Sequence, residues 1–511
     1  MHDIIIIGSG LGGLVSGAIL ARRGMSVCVL EQHTQAGGCL QSFRRGGATF
    51  DTGFHCVGGL RPGEALHPYF RHLRLLDLPW VQMDEACFEE IHIGDDVYAF
   101  AQGRERFIET LAERFPAERT GLNAFMDMLE STGHSLRHLF DDADTARDHT
   151  RERFGQSAYA FLQRTIADPR LRSVLSGASM KMELHADALP LYTFAQINNS
   201  YIQSAWRLRG GGEPIVHRLV EQIEQAGGTV RTRARVTRLI AADGRLTAAE
   251  LSDGERIEGR TFISDIHPAL TVGLIPSDSG LLRRVYRQRI ESLRNTFGFF
   301  TLHVHAPHTP LPYLNRNVSI YDDYESLWHN DRSDVSPSYL ISCRPPDTPD
   351  SRTVTTLDVL HPITPRINSL LAWDAKDYRQ NPRYNAWKSV SAELCEQRLR
   401  EHVALPPDFT IERVTTSTPR TYHRYTGTPR GSAYGIRRDC RDLPRTLLSP
   451  RTPIPNLLQT GQSVNVHGVL GVTVTAFLTS AELLGRETIR RMLVGEEEGY
   501  PANLAGAPLA P

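Results

Sequence analysis

The 511-residue sequence predicts an α/β protein with two interleaved domains. The prediction rests on three glycine-rich segments, each beside a strand or helix pattern, and on two long inserts that separate them. The first segment opens the chain, the second lies at 209–228 and the third at 456–471. Because glycine lets backbone approach a ligand closely, we expect these segments to assemble into one domain and the inserts to form the other.

The first segment reads as strand, glycine turn, helix and second strand. The β-branched run Ile4 to Ile7 leads into Gly8-Ser9-Gly10-Leu11-Gly12-Gly13, and the second strand, Val27 to Leu30, ends in Glu31. Residues 4–21 carry no charge, but glycines interrupt them, and the residue before them is Asp3 and not Lys or Arg. We therefore expect a buried nucleotide fold here and not a membrane helix.

Each position of this turn has a physical role. Gly8 permits the tight turn, Gly10 lets backbone approach a pyrophosphate at the positive end of the helix, and Gly13 lets the helix pack closely on the strand. Glu31 is placed to accept hydrogen bonds from a ribose hydroxyl, and its charge disfavours the 2′-phosphate of NADP. Inside a complete strand–helix–strand unit, the pattern predicts a site for an ADP-containing dinucleotide.

FAD and NAD share this fingerprint, and the later segments separate them. Gly37-Gly38-Cys39-Leu40-Gln41-Ser42-Phe43 follows the second strand, where a cofactor longer than its ADP half would continue. Arg209-Gly210-Gly211-Gly212-Glu213-Pro214 precedes a predicted helix, Ile215 to Ala226, and a predicted alternating strand, Thr229 to Thr237.

The third segment places a second glycine turn before a helix. A strand ends within Asn456 to Gln462, Gly468 and Gly471 follow, and a helical run extends from Val472 to Leu484. A helix N-terminus stabilises negative charge, such as that on the N1–C2=O edge of a reduced flavin. This arrangement favours FAD.

Together these segments resemble the phytoene-desaturase-like flavoproteins, which include carotenoid desaturases, carotenoid isomerases and retinol saturases. The resemblance covers the whole chain, including Thr418-Pro419-Arg420-Thr421 and Gly431-Ser432-Ala433-Tyr434-Gly435. It implies an FAD-binding Rossmann-like domain of the glutathione-reductase type, interleaved with an α+β substrate domain. Many relatives carry an acid where Thr460-Gly461-Gln462 has its glutamine, and in this respect the chain is more like the saturase branch.

The resemblance also implies which residues hold FAD. Val236 would offer its backbone to the adenine, and Gly461 would begin the stretch that faces the ribityl and flavin end. The full set is Gly8, Gly10, Leu11, Gly12, Gly13, Glu31, Gln32, Gly37, Gly38, Cys39, Ser42, Val236, Gly461, Gln462, Gly471 and Val472.

Two residues near the expected flavin are the candidates for catalysis. His467 could deliver a proton or polarise the ring, and the alternative is a structural histidine bonded to backbone. Tyr434 could close the cavity over the flavin or donate its phenol proton, and the alternative is a packed core aromatic. His55 and Cys56, just beyond the second glycine segment, could also approach the flavin.

The predicted function is an FAD-dependent oxidoreductase that adds hydrogen to, or removes it from, a carbon–carbon bond of an apolar polyene or isoprenoid. Likeness to saturases favours reduction. One alternative is cis–trans isomerisation of carotenoids by reduced flavin. The other is a non-catalytic prenyl-lipid carrier of the same fold, against which the complete phosphate loop and Glu31 argue. The electron donor or acceptor stays open.

The predicted domain boundaries follow the glycine-rich segments. Residues 1–75, 205–289 and 446–495 form the FAD-binding domain, 76–204 and 290–445 form the substrate domain, and 496–511 form a tail. The first insert reads as mostly helical, and the second alternates strands with one good helix, Trp387 to His402.

Composition narrows the partners and the compartment. The 57 Lys and Arg residues balance 58 Asp and Glu residues, which leaves no field to attract nucleic acid. Seven scattered cysteines without a Cys-x-x-Cys pair fit a reduced, cytoplasmic location, and no motif predicts a metal site. The arginine-rich segment Leu281 to Leu293 is a candidate for transient peripheral contact with a membrane surface, and the alternative is that it packs on its own protein.

Overall fold

The computed structural model describes residues 1–140, 152–329, 338–374 and 377–496. The strands, in chain order, are β1 His2–Ile7, β2 Val27–Leu30, β3 Ser42–Arg45, β4 Ala48–Asp51, β5 Val57–Gly58, β6 Trp80–Gln82, β7 Glu89–Ile93, β8 Asp96–Phe100, β9 Ala205–Leu208, β10 Thr229–Arg231, β11 Val236–Ala242, β12 Arg245–Leu251, β13 Arg256–Ser264, β14 Gly298–His305, β15 Leu311–Pro312, β16 Asn317–Tyr321, β17 Ser338–Ser342, β18 Thr353–Val354, β19 Thr356–Ile363, β20 Arg413–Ser417 and β21 Leu457–Gln459.

The helices lie between these strands and after the last one. In chain order they are α1 Leu11–Ala21, α2 His67–His72, α3 Arg104–Arg114, α4 Arg119–Arg137, α5 Ala158–Thr165, α6 Pro169–Leu175, α7 Leu191–Gln203, α8 Glu213–Gln225, α9 Pro268–Gly273, α10 Arg284–Glu291, α11 Pro365–Ser369, α12 Pro382–His402, α13 Pro419–Thr426, α14 Leu443–Thr446, α15 Gly468–Leu484 and α16 Arg486–Val494. Apart from Glu496, the predicted tail lies outside the described residues.

The first sheet is built from stretches remote in sequence. β10, β2, β1 and β13 are parallel neighbours, β21 pairs in parallel with the end of β13, and β12 and β11 continue as an antiparallel meander. β1 is buried on both faces because its side chains alternate between two cores: Ile4 and Ile6 belong to one, Ile5 and Ile7 to the other. This double burial explains the continuous apolar run in the sequence.

Helix α1 is an internal element. All of its residues are buried, and it packs against both α8 and α15. A Cβ on Gly17 would lie 3.0 Å from Ile223 Cδ1 of α8, so glycine permits this close approach. In the described part of the chain, no helix is long and apolar enough to cross a membrane.

The second sheet joins the two inserts. Its order is β20-β14-β19-β17-β16-β7-β8, in which the hairpin β7–β8 comes from the first insert and pairs in parallel with β16 from the second. Helix α12 covers part of it, with Cys395 and Leu399 in the same core as Phe300 and Val359. The exact domain boundaries stay a prediction.

One expectation about local structure was wrong. The strand expected over Thr229–Thr237 is two strands, because Arg233 has a left-handed backbone (φ 57°) where its N–H donates to His33 O, and the chain leaves β2 there. The described part of the first insert is mostly helical, as expected, and it also contributes β6, β7 and β8. Its hairpin is stabilised by pairing with β16, a partner that lies more than 200 residues further along the chain.

Candidate functional site

One cavity of about 390 Å³ connects the first and third glycine-rich segments and the Gly37-Gly38 loop with the second sheet, whereas no residue of 209–228 lines it. This volume lies within the range of small-molecule and cofactor sites. His55 and Cys56 are on its wall. Most residues that the sequence assigns to FAD or to catalysis also line it: Gly8, Gly10, Leu11, Gly12, Glu31, Gln32, Gly37, Gly38, Cys39, Val236, Tyr434, Gly461, Gln462, His467, Gly471 and Val472.

The glycine loop after β1 is in contact with the backbone of two other segments. A Cβ on Gly12 would lie 2.9 Å from the backbone N of Gly461, and a Cβ on Gly38 would lie 3.1 Å from Gly10 Cα. Gly8 itself has a φ of 96°, which side chains rarely adopt. The first and third segments therefore meet at Gly12 and Gly461, and this contact depends on the absence of side chains there. The second segment touches the loop that follows Gly38, where a Cβ on Gly212 would clash with Leu40 O.

Glu31 is fixed at the end of β2 beside this loop. Its Oε2 accepts hydrogen bonds from Ser9 N (3.0 Å) and Ser9 Oγ (2.7 Å), and its Oε1 accepts one from His33 N (2.8 Å). An ionised carboxylate has about four acceptor positions, so at least one remains for a ligand hydroxyl. The carboxylate is thus held in place and faces the cavity.

Two long helices point their N-termini into the same cavity. Helix α1 begins after Gly10 and helix α15 begins after His467, and neither N-cap residue supplies a side-chain hydrogen bond. The first-turn N–H groups of each helix carry a partial positive charge. Those of α15 are available to a ligand, whereas at α1 the Asp265 carboxylate lies close to Gly10 and Gly13. A pyrophosphate and the N1–C2=O edge of a reduced flavin are ligand groups that match such ends.

Asp265 follows β13 and lies between the two glycine turns, a position that the sequence analysis did not single out. A Cβ on Gly10 or Gly461 would lie 2.6 or 2.7 Å from its carboxylate oxygens. Its Oδ2 is buried and has no hydrogen-bond partner among the described residues. Burial raises the pKa of Asp265 to about 8, although the amides of Gly13 and Gly10 oppose this shift. A polar residue directly after a buried parallel strand was the available signal.

Two residues of the predicted set do not line the cavity. Ser42 is buried and donates its Oγ hydrogen to Asp51 Oδ1 (2.7 Å), so it supports the β3–β4 hairpin instead of reaching a cofactor. Gly13 is turned towards the strand, where a Cβ would lie 2.3 Å from Gly8 O. Its expected role in close packing fits this contact, whereas a direct contact with a cofactor does not.

His467 and Tyr434 lie together at the end of the cavity formed by α15. His467 Nε2 is 2.9 Å from Lys181 O, which can only accept, so Nε2 carries the hydrogen. Burial lowers the pKa of His467 to about 4. The Tyr434 hydroxyl donates to Met180 O, and burial raises the pKa of this phenol well above its usual value. At neutral pH both side chains are therefore uncharged.

The remaining wall of the cavity is largely apolar. It contains Phe299, Leu340 and Leu360 from the second sheet, and Ile197 from α7. Of the cavity-lining residues, all within the described ranges, Lys181 is the one lysine or arginine. The region fits an elongated hydrocarbon ligand, and sequence spacing did not reveal these residues because they come from separate strands.

A serine, a histidine and an aspartate meet elsewhere in the second sheet. His303 Nδ1 is 2.6 Å from Asp358 Oδ1, and His303 Nε2 is 3.0 Å from Ser417 Oγ. All three are buried and none lines the cavity, so Ser417 has no access to a substrate. We interpret this group as a polar network that joins β14, β19 and β20. No group of three metal-ligating side chains was found among the described residues.

The residues of this cavity fit FAD. Glycines at 10, 12, 38 and 461 let separate backbone segments meet on the cavity wall, the two helix ends without a side-chain cap match negative groups, and Glu31 has acceptor capacity left for a ribose. The fold and this site define a flavoprotein oxidoreductase. The family model for flavin containing amine oxidoreductases matches residues 11–484, and the chain belongs to that family. The predicted fold class, FAD cofactor and enzyme class are confirmed.

Individual proteins show how far the similarity extends. All-trans-retinol 13,14-reductase of Rattus norvegicus is 27% identical over 535 residues, covering 95% of this chain and 86% of that protein. A chloroplastic prolycopene isomerase of Arabidopsis thaliana is 23% identical over 465 residues, covering 85% of this chain and 74% of that protein. A solved structure of putrescine oxidase covers 94% of this chain and 99% of its own, with 15% identity and a TM-score of 0.61, and shows the same fold.

Proposed function

We propose that the protein is an FAD-dependent reductase of a carbon–carbon double bond in an apolar polyene or isoprenoid, such as a retinoid or a carotenoid. The observation that supports this most is the single cavity, which runs from the glycine loops to an apolar wall on the second sheet. The relatives named all-trans-retinol 13,14-reductase match nearly the whole chain and favour reduction over desaturation.

Within this proposal, FAD binds beside the glycine loops and the polyene binds against the apolar wall of the same cavity. Gly10, Gly12 and Glu31 bind the pyrophosphate and ribose of FAD, and the α15 N-terminus from Gly471 binds the flavin end. When bound, FAD supplies or accepts a hydride at carbon. The apolar wall orients the polyene and excludes water from it.

Reduction of a double bond also needs a proton at the second carbon. We propose that Tyr434 holds this proton, since its phenol stays protonated at neutral pH and lies on the cavity wall. His467 then acts as a positioning residue, because burial lowers its pKa to about 4 and leaves it without an imidazolium proton at neutral pH.

Contact with a membrane surface is the proposed route for an apolar substrate. The segment of interest is α10, where Val285 is 76% exposed between Arg284 and Tyr286, while Ile290 packs into the core. A helix with this exposed pattern fits transient, peripheral contact. Sedimentation with anionic vesicles tests this: a Val285→Asp variant should bind less, and equal binding would count against it.

One experiment separates the possible reactions. The purified protein is reduced anaerobically with dithionite, because its natural electron donor or acceptor is not identified, and is mixed with retinoids, carotenoids and other polyenes. Reoxidation of the flavin with a gain of two hydrogens in the product supports reduction. A loss of two hydrogens with oxidised protein indicates desaturation, and an isomer of unchanged mass indicates isomerisation. The absence of any reaction or binding would overturn the proposal.

A further inference from the structure

A buried ion pair lies on the otherwise apolar side of the cavity. The Lys181 ammonium pairs with the Glu89 carboxylate and lies 4.7 Å from the centre of the Tyr201 ring. Lys181 and Tyr201 line the cavity, while Glu89 is fully buried behind them. The pair is set apart from Glu31 and Asp265, the acids beside the glycine loop.

Glu89 is held rigidly by neighbouring strands. It starts β7 opposite Asn317 of β16, and its Oε1 accepts a hydrogen bond from Ser319 Oγ (2.6 Å) while its Oε2 accepts one from Asn317 Nδ2 (3.2 Å). With these partners and Lys181, both oxygens of the carboxylate accept hydrogen bonds. The Lys181 ammonium has three hydrogens to donate; it donates one to Glu89, and it also lies over the ring face of Tyr201.

Stability alone is a weak reason for such a pair. The desolvation of two charges offsets most of their attraction, and apolar residues of the same volume are often at least as stable. The pair adjoins the aromatic ring of Tyr201 on the cavity side and the polar side chains of Asn317 and Ser319 behind it, and the buried Arg207 bonds to Asn317. The position of Lys181 gives a functional reason: the same turn, Ser179–Lys181, supplies the carbonyls that orient Tyr434 and His467.

We infer that Lys181, fixed by Glu89, is the anchor that binds a neutral oxygen at the end of the polyene substrate, a hydroxyl or a carbonyl. The inference rests on the proposed function and adds a specificity-determining residue to it. An ammonium donor to an oxygen discriminates strongly against an analogue without that oxygen, because the polar site would be left unpaired. Anchoring one end of a polyene also determines which double bond reaches the reacting position.

The net charge of the Lys181–Glu89 pair determines whether the site favours a polyene with a neutral end or one with an anionic end. Lys181 and Glu89 together are neutral, so a carboxylate bound at Lys181 would place a second negative charge near the buried Glu89, while the buried Arg207 guanidinium is linked to Glu89 only through Asn317. An alcohol or aldehyde adds no charge. We therefore expect the site to prefer a polyene alcohol over both its hydrocarbon and its carboxylic acid.

Equilibrium binding to the oxidised, FAD-loaded protein tests this inference. The probes are all-trans-retinol, retinoic acid and deoxyretinol, in which hydrogen replaces the hydroxyl. Wild type should bind retinol about 10- to 100-fold more tightly than deoxyretinol, and Lys181→Met should abolish this preference without weakening deoxyretinol. Lys388→Met, a lysine of α12 that does not line the cavity, is the matched control and should behave as wild type.

A second variant separates an anchor from a structural pair. Glu89→Gln leaves the Lys181 charge without its counter-charge, so retinoic acid should gain affinity relative to retinol by roughly tenfold or more. If Lys181→Met does not retain FAD, the double variant Lys181→Met/Glu89→Gln removes both charges and should also lose the preference for retinol.

The outcomes keep the inference distinct from the reductase proposal. Equal loss of retinol and deoxyretinol binding in Lys181→Met, a preserved preference for retinol, or no response of retinoic acid to Glu89→Gln would each overturn the anchor. A wild type that reduces hydrocarbon and alcohol equally well would overturn the anchor and support the reductase. A wild type that shows the binding preferences but no turnover would support the anchor and overturn the reductase.

Discussion

The rings of Tyr434 and His467 stack with their centroids 4.3 Å apart and their planes 24° from parallel. Their polar atoms bond to successive carbonyls, Met180 O and Lys181 O, on one short turn. The two side chains therefore form one unit that is clamped between α15 and the turn. The O–H of Tyr434 and the Nε2–H of His467 are both engaged in hydrogen bonds to this turn. Because the two rings also stack, a change that moves one side chain should also move the other.

His467 should not titrate in the working pH range. Burial lowers its pKa to about 4, so at pH 6 to 8 it stays neutral. His467→Gln keeps a donor for Lys181 O, and we expect turnover within about tenfold of wild type. The pH–rate profile measured by flavin reoxidation should superimpose on that of wild type. If the wild-type pH–rate profile falls or rises near pH 6 to 7 and the His467→Gln profile does not, His467 is the proton donor after all.

Tyr434→Phe should be the more damaging change. The ring and its stack on His467 are kept, while the proposed proton source is lost, so the rate of reduction should fall by roughly 10² or more. FAD content and polyene binding should change little. Tyr422→Phe is the matched control, because Tyr422 also lines the cavity but its hydroxyl shares a hydrogen bond with Thr301 Oγ1 (2.9 Å). Equal turnover in the two variants would remove Tyr434 from the chemistry.

The parts of the site that the sequence predicted are those carried by local pattern. Three such features have characteristic residue types at a fixed spacing, which allows them to be recognised from the sequence: the turn after β1, Glu31 at the end of β2 and the turn before α15. Asp265 and Lys181 are isolated residues whose importance comes from neighbours far along the chain. Ser42 shows the opposite error, since its place beside the paired glycines suggested a ligand contact, whereas Asp51 takes its hydrogen bond.

The strand expected over Thr229–Thr237 failed for a related reason. Its alternation of apolar and basic residues is genuine, because Ala234 and Val236 are buried while Arg233 and Arg235 are exposed. The alternation nevertheless spans a turn, in which Ala234 N–H donates to Glu31 O. The alternation of apolar and polar residues predicts which side chains are buried and which are exposed. It does not predict where a strand stops pairing with one neighbouring strand and the chain turns towards another.

Glu31→Ala should weaken the binding of FAD. The ribose loses a charged acceptor, so the dissociation constant should rise by about 10- to 100-fold in a flavin fluorescence titration. Because Glu31 also holds Ser9, the unfolding temperature of the flavin-free variant is measured in parallel. Glu255→Ala, which removes an exposed partner of Arg231, is the control. Unchanged affinity in Glu31→Ala would contradict its assignment to the ribose.

Gly12→Ala should disrupt the junction of the first and third glycine segments. The new Cβ would lie 2.5 Å from Asp265 Oδ1 and 2.9 Å from Gly461 N, and backbone cannot move aside cheaply. We expect a loss of roughly 1–3 kcal/mol in the free energy of unfolding, together with loss of bound FAD. Gly273→Ala is the control, since its Cβ would have no neighbour within 4 Å. A Gly12→Ala protein that is as stable and as yellow as Gly273→Ala would show that the segments lie further apart.

Asp265 should make the flavin-free protein less stable as the pH rises. Burial raises its pKa to about 8 in the folded protein, against 3.8 for an ordinary aspartate. Between these values the folded protein holds a proton that the unfolded chain has released, so the free energy of unfolding falls with increasing pH.

Asp265→Asn removes this titration and preserves the shape of the side chain. In urea unfolding of the flavin-free protein, the variant should match wild type near pH 4 and exceed it increasingly up to pH 8, by at most roughly 5 kcal/mol. Asp278→Asn, an exposed aspartate on a loop, should follow wild type throughout. Parallel curves for Asp265→Asn and wild type across this window would show that the Asp265 carboxyl is ionised in the folded protein, and that the amides of Gly10 and Gly13 outweigh its burial.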